Sequence, residues 1–122
     1  PIGWAQVSPR PDVPNWNGPR RLSAPLDTAE AEDRGVWAIN CFVVRRAWRG
    51  NGVSKALLAA AIAFAKKNGA RALDACPVDV KKEKRPPVSI YHGTAAMFER
   101  AGFVEIARRR GDRPLVRLDL GP

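Results

Sequence analysis

The residues with the plainest chemical content are Arg49-Gly50-Asn51-Gly52-Val53-Ser54, a turn between an apolar run over 36–44 and a helical run over 55–67. A strand that stops at a glycine-rich turn, where a helix begins, is a seat for phosphate. The first amides of a helix have no intrahelical partner, and the helix dipole adds partial positive charge there. Two glycines without Cβ atoms let backbone amides close on an anion. Arg45, Arg46, Arg49 and Lys55 surround the turn with cations, which either serve that anion or form a solvated rim. Asn40 is the only polar side chain in the run 36–44, and it needs a buried partner or a ligand. A structural hydrogen bond is the ordinary expectation for it.

The elements that must position these residues follow from periodicity. Residues 2–8 alternate as a strand, with Ile2, Trp4 and Gln6 on one face and Val7 on the other. Pro9, Pro11, Pro14, Gly18, Pro19 and Pro25 then exclude regular structure from most of the next segment. That long loop, carrying Trp16 and Arg20-Arg21, either lines a substrate site or is a flap held down by Trp16. Residues 28–34 suit one short turn. The run 36–44 is apolar on both faces and reads as a central strand covered on both sides. Val53, Leu57, Ala61 and Ala65 form a helical row, widened by Leu58, Ile62 and Phe64 and stopped by Asn68-Gly69. Residues 70–78 are a second apolar strand, so strand, helix and strand form a right-handed parallel crossover. A charged loop over 80–87, a short helix over 94–100 and two strands over 103–108 and 115–120, joined through Arg110-Gly111-Asp112-Arg113, complete the chain. The fold class is α/β with a mixed sheet, in a single domain over 1–122.

Composition narrows the setting. A net charge of +9 suggests an anionic partner, or only solubility. No apolar run approaches the roughly 20 residues of a membrane span. With one His and two distant Cys, a zinc site is not expected. Cys41 and Cys76 both sit in apolar runs and read as free thiols in a reducing, cytosolic compartment. No alternation of aromatic and basic residues suits single-stranded nucleic acid.

Three glycine signatures compete for the turn. A dinucleotide fingerprint wants a third glycine where Lys55 stands, and Asp74 only weakly suggests its ribose contact. A P-loop needs Gly-Lys-Ser/Thr, and Ser54-Lys55 comes in the wrong order. The third fits: strand, Arg49-Gly50-Asn51-Gly52-Val53-Ser54, then amphipathic helix resembles the acetyl-CoA motif of the GNAT N-acetyltransferase superfamily, with Ser54 replacing its last small residue. Met97-Phe98-Glu99-Arg100-Ala101-Gly102-Phe103 resembles that family's late helix and Gly-Phe end, followed by the expected hairpin.

The resemblance implies a cofactor-binding set of Phe42, Val43, Val44, Arg49, Gly50, Asn51, Gly52, Val53, Ser54 and Lys55. The strand residues would offer backbone groups to the pantetheine arm, and the turn would hold the pyrophosphate of acetyl-CoA. It implies direct attack of a primary amine, on a small molecule or a protein, at the thioester. The family's usual tyrosine acid corresponds here to Phe98, which has no proton to give. Tyr91 and His92 are the nearest titratable groups, Tyr91 as cofactor contact or acid and His92 as base. Asp74 and Asn40 are candidates to orient the amine, Asp74 being more ordinarily paired with an Arg. Family members usually begin with a strand and two helices that wall the acceptor groove, and this sequence opens at the strand after them. The expectation is an N-terminally truncated GNAT-like sheet, either a fragment or one covered by a second copy in a homo-oligomer. Two other functions stay open: a non-catalytic CoA-binding or interaction module, and a basic nucleic-acid-binding domain with salt-sensitive affinity.

Overall fold

The computed structural model describes residues 3–45, 52–79, 90–91 (backbone only) and 94–121. Strand β2 (Val36–Arg45) is the axis of the sheet. Its run of apolar and β-branched residues suits a strand covered on both faces, and it is buried over 36–39 and 42–44. Strand β1 (Gly3–Pro9) pairs with it antiparallel, and β3 (Ala72–Ala75) pairs parallel through Val36–Ala72 to Ile39–Ala75. Helix α1 (Val53–Lys67) makes the crossover between them. After β3 come β4 (Ile90–Tyr91), the short helix α2 (Ala95–Arg100), β5 (Val104–Arg110) and β6 (Arg113–Asp119). The six-stranded mixed sheet runs β1-β2-β3-β6-β5, with β4 on β2. The strand expected over 70–78 is therefore short, because Cys76-Pro77 leaves the ladder.

One face of the sheet carries the helices. Trp37, Ile39, Phe42, Val44, Leu73, Ala75 and Val116 pack there with Leu58, Ala61 and Ala65 of α1 and Met97 and Phe98 of α2. The helical row read from sequence is thus the buried row, except that Phe64 stays 51% exposed at its rim, edge-on to Trp37 at 6.0 Å. Asn68 and Gly69, the latter at φ 93°, close α1.

The other face is covered by the proline-rich segment, which forms single 3-10 turns at Arg10–Asp12, Pro14–Asn17 and Thr28–Glu32. Arginines staple it down. Arg10, fully buried, donates to Asp74 Oδ2 from Nε (3.0 Å) and Nη2 (2.7 Å), and to Asn17 Oδ1 and the Ser23 carbonyl from Nη1. Trp16 lies on the guanidinium, 4.7 Å from ring centroid to Cζ. Arg109 donates to the carbonyls of Leu22 and Ala24. The flap reading of this segment holds, with Trp16 acting through Arg10.

At the segment's far end the Asp33 carboxylate accepts from Arg71 and from the Gly35 amide (2.8 Å), which hold its pKa at about 2. A depressed carboxylate stabilises the fold above its unfolded pKa of 3.8 and loses that contribution as pH falls toward 2. Asp33→Asn should therefore flatten the acid limb of a stability–pH curve between those limits, and leave its slope above pH 5 unchanged. The effect is small because the side chain is 32% exposed. Chemical denaturation across the acid range measures it, and an unchanged limb refutes the pairing.

Candidate functional site

The middle of β2 is where the sheet opens. β3 stops pairing after Ile39–Ala75, while β2 continues to Arg45. On the same edge, β4 pairs antiparallel with Val44 and Arg45, through Tyr91 and Ile90. Asn40 to Val43 therefore face a gap bounded by β3 at one end and β4 at the other. Burial agrees: Asn40 and Cys41 are half-buried in a strand otherwise buried up to Arg45.

A β-bulge coincides with the opening. Gln6 pairs with Cys41 and Val7 with Ile39, so Asn40 is the extra residue. Ile39 and Phe42 both reach the helix-side core, which places Asn40 and Cys41 together on the opposite face. Apolar residues on both faces left no alternation to show this bulge in the sequence. The hydrogen bond expected for Asn40 is not made: its buried Oδ1 accepts from no described residue. Ser8 Oγ, on β1 beside Ala38, is buried and unpartnered in the same way.

The far end of β2 leads to the N-terminus of α1. Gly52 is its N-cap, in the left-handed region at φ 77° and ψ 1°, and no side chain caps the helix. The first intrahelical bond runs from the Ala56 amide to the Gly52 carbonyl (3.0 Å), so the amides of Val53, Ser54 and Lys55 precede the ladder. The first turn holds no acidic residue, and a Cβ on Gly52 would meet nothing within 4 Å. Uncapped amides, Lys55 and open space together fit a phosphate group.

The other predicted residues divide. Phe42 and Val43 lie along the opening, with the Phe42 ring in the core, whereas Val44, expected to offer its backbone there too, is paired with Tyr91 where β4 closes the gap. Arg49, Gly50, Asn51 and His92 lie outside the described residues, as does the charged loop. Asp74 is engaged otherwise: fully buried, it accepts from Arg10 and, at 2.7 and 3.0 Å, from Arg117, which also grips Glu30. These bonds raise the pKa of Arg117. Fully buried and held by four arginine N–H bonds, Asp74 offers no exposed oxygen to a substrate. Phe98 is 1% exposed, between Phe42 and Phe103. Cys41 and Cys76 are free, and burial raises the Cys76 thiol. Among the described residues no helix is long and apolar enough to cross a membrane, and no group of three or more His, Cys, Asp or Glu gathers as for a metal.

β2, α1 and β3 form a parallel strand–helix–strand unit that opens beyond a bulge, and the helix starts without a side-chain cap. The family model for GNAT acetyltransferases matches residues 1–103, and the chain belongs to that family. Among solved structures, a Desulfovibrio desulfuricans protein assigned to the GNAT acetyltransferases shares the fold, with a TM-score of 0.63 and 22% identity. The match covers 98% of this chain, which spans 62% of that protein's length. No curated protein matches the chain.

Proposed function

We propose that this chain binds acetyl-CoA and transfers its acetyl group to a primary amine by direct attack. The observation that carries this reading is the opening of the sheet between β2 and β3 together with the uncapped start of α1, the helix that follows β2 in the chain. Amides of Val53, Ser54 and Lys55, with Arg49, Gly50 and Asn51 from the motif, take the pyrophosphate. Backbone groups of Phe42 and Val43 meet the pantetheine arm along the open edge of β2. Acetyl-CoA, when bound, supplies an activated acyl group as a thioester. The protein's part is to hold it extended, exclude water and present the amine.

Orientation follows from the two ends of the gap. A phosphate group at α1 sets one end of the ligand, so its reactive end lies toward the vertex at Ile39 and Asn40. Tyr91 pairs with Val44, roughly 13 Å along the strand from Asn40. That placement favours Tyr91 as a contact to the arm over Tyr91 as the acid that protonates the leaving thiolate.

Isothermal titration with acetyl-CoA tests the reading, and no binding at high micromolar concentration sinks it. Gly52→Val should weaken binding by more than about tenfold, because a β-branched residue resists positive φ and its side chain would enter the open space. A second probe is Cys41, whose alkylation should slow when acetyl-CoA is present, while that of half-buried Cys76, whose thiol is raised by desolvation, stays slow throughout. Equal Cys41 rates with and without acetyl-CoA place the ligand elsewhere.

A further inference from the structure

Among the described residues, the two buried polar atoms left without partners, Asn40 Oδ1 and Ser8 Oγ, lie on the same face of the same pair of strands. Ser8 is paired with Ala38, and Asn40 lies two residues beyond Ala38, so the two side chains are diagonal neighbours. Native structures leave few such groups unsatisfied, and each one has a cost. Asn40 is the bulged residue where the sheet opens, and Ser8, on β1 opposite Ala38, lies across β2 from the gap, on the same face away from the helices.

We infer that Asn40 and Ser8 are the positioning residues for the acceptor amine, holding its nitrogen over the vertex of the gap. This deepens the reading of the same cleft and rests on it. The chemistry of the pair selects the ligand. A carboxamide oxygen accepts only, so its partner must bring an N–H or O–H, and a serine hydroxyl can accept or donate. A primary amine offers hydrogens to both oxygens and keeps its lone pair for the carbonyl carbon. The other candidate on this face, Asp74, is taken by Arg10 and Arg117. No carboxylate is needed to orient the amine: two neutral acceptors fix its direction without holding it as a strongly paired ammonium. Amide formation makes a C–N bond and breaks the thioester C–S bond; one proton leaves nitrogen and the thiolate takes one up.

The test uses Asn40→Leu, Asn40→Asp and Ser8→Ala in the whole chain, with acetyl-CoA and three primary amines of different bulk: glycinamide, 2-phenylethylamine and spermidine. CoA release should fall about tenfold or more in kcat/KM for the amine in Asn40→Leu, and less in Asn40→Asp, which keeps an acceptor oxygen. Ser8→Ala should raise KM for the amine. The acetyl-CoA Kd should stay within about twofold of the parent in all three, since the lesion is on the amine side. Thermal unfolding supplies a readout independent of turnover. Removing an orphan buried acceptor should leave the Tm of Asn40→Leu unchanged or higher, whereas a structural asparagine would lose Tm.

Binding of acetyl-CoA with equal amine kinetics in parent and Asn40→Leu overturns this inference and leaves the cofactor reading standing. A lower Tm in Asn40→Leu with proportionate loss of acetyl-CoA binding also overturns it. Acetyl-CoA bound by the parent but transferred to none of the three amines overturns it as well. Failure to bind acetyl-CoA at all is the separate failure of the cleft assignment.

Discussion

Asp74→Ala should destabilise the fold by about 3–5 kcal/mol, because it removes the counter-ion of a guanidinium that has no access to water. Arg10 is fully buried and Asp74 is the acid it pairs with directly; its remaining hydrogen bonds go to the Asn17 amide oxygen and the Ser23 carbonyl. Without Asp74, the desolvated charge must be rehydrated, and the segment from Pro9 to Ala24 must lift from the sheet to allow it. Arg117 loses less, since it keeps Glu30 at 3.0 Å and is 24% exposed. Arg10→Met should cost less than Asp74→Ala, because Asp74 would still be held by two bonds from Arg117. The double variant Arg10→Met, Asp74→Leu should be more stable than Asp74→Leu alone, a sign reversal that only a charge left without its counter-ion produces. Urea unfolding of the parent and the four variants measures it. A loss below about 1 kcal/mol in Asp74→Ala, or a double variant worse than either single, would show that the network is not what holds the flap.

That network marks the boundary of what the sequence could reveal. The glycine turn, helix α1 and its crossover are local: a 3.6-residue period, an Asn-Gly stop and flanking apolar runs lie within a short window, and the structure follows them closely. Arg10 gives no such signal. It stands between two prolines, and its partner is 64 positions away, so nothing in its neighbourhood distinguishes it from exposed Arg20 or Arg21. Asp74 was visible as a lone acid in an apolar strand, which is why pairing with an arginine could be anticipated without knowing which one. The bulge at Asn40 is hidden for a different reason. A register shift shows in sequence as a switch of alternation, and β2 is apolar on both faces. One sign of it was legible: a single asparagine in the middle of that run. Tyr91 pairs with β2 through its backbone, a contact that no side-chain pattern encodes.

Phe98 decides how the missing acid is to be understood. Aligning the late helix with its family suggests a simple repair, in which Phe98→Tyr restores a proton donor. The structure predicts the opposite. The ring is 1% exposed, edge-on to Phe42 at 5.8 Å and to Phe103 at 5.0 Å, on the helix side of the sheet. A hydroxyl added there enters an apolar cluster, and an unpaired buried hydroxyl costs about 1–3 kcal/mol. Phe98→Ala should cost more, about 3–5 kcal/mol, since it empties the contact between α2, β2 and the residue that leads into β5. Because Phe42 sits on the strand that borders the gap, the alanine variant should also loosen acetyl-CoA binding, whereas a purely local cavity would leave the Kd alone. Phe98→Tyr should unfold at lower urea than the parent and release CoA no faster with any amine. If instead the tyrosine variant keeps its stability, turns over faster and gains an alkaline limb near the phenol pKa of about 10, the ring faces the thioester and the late helix is rotated from the position described.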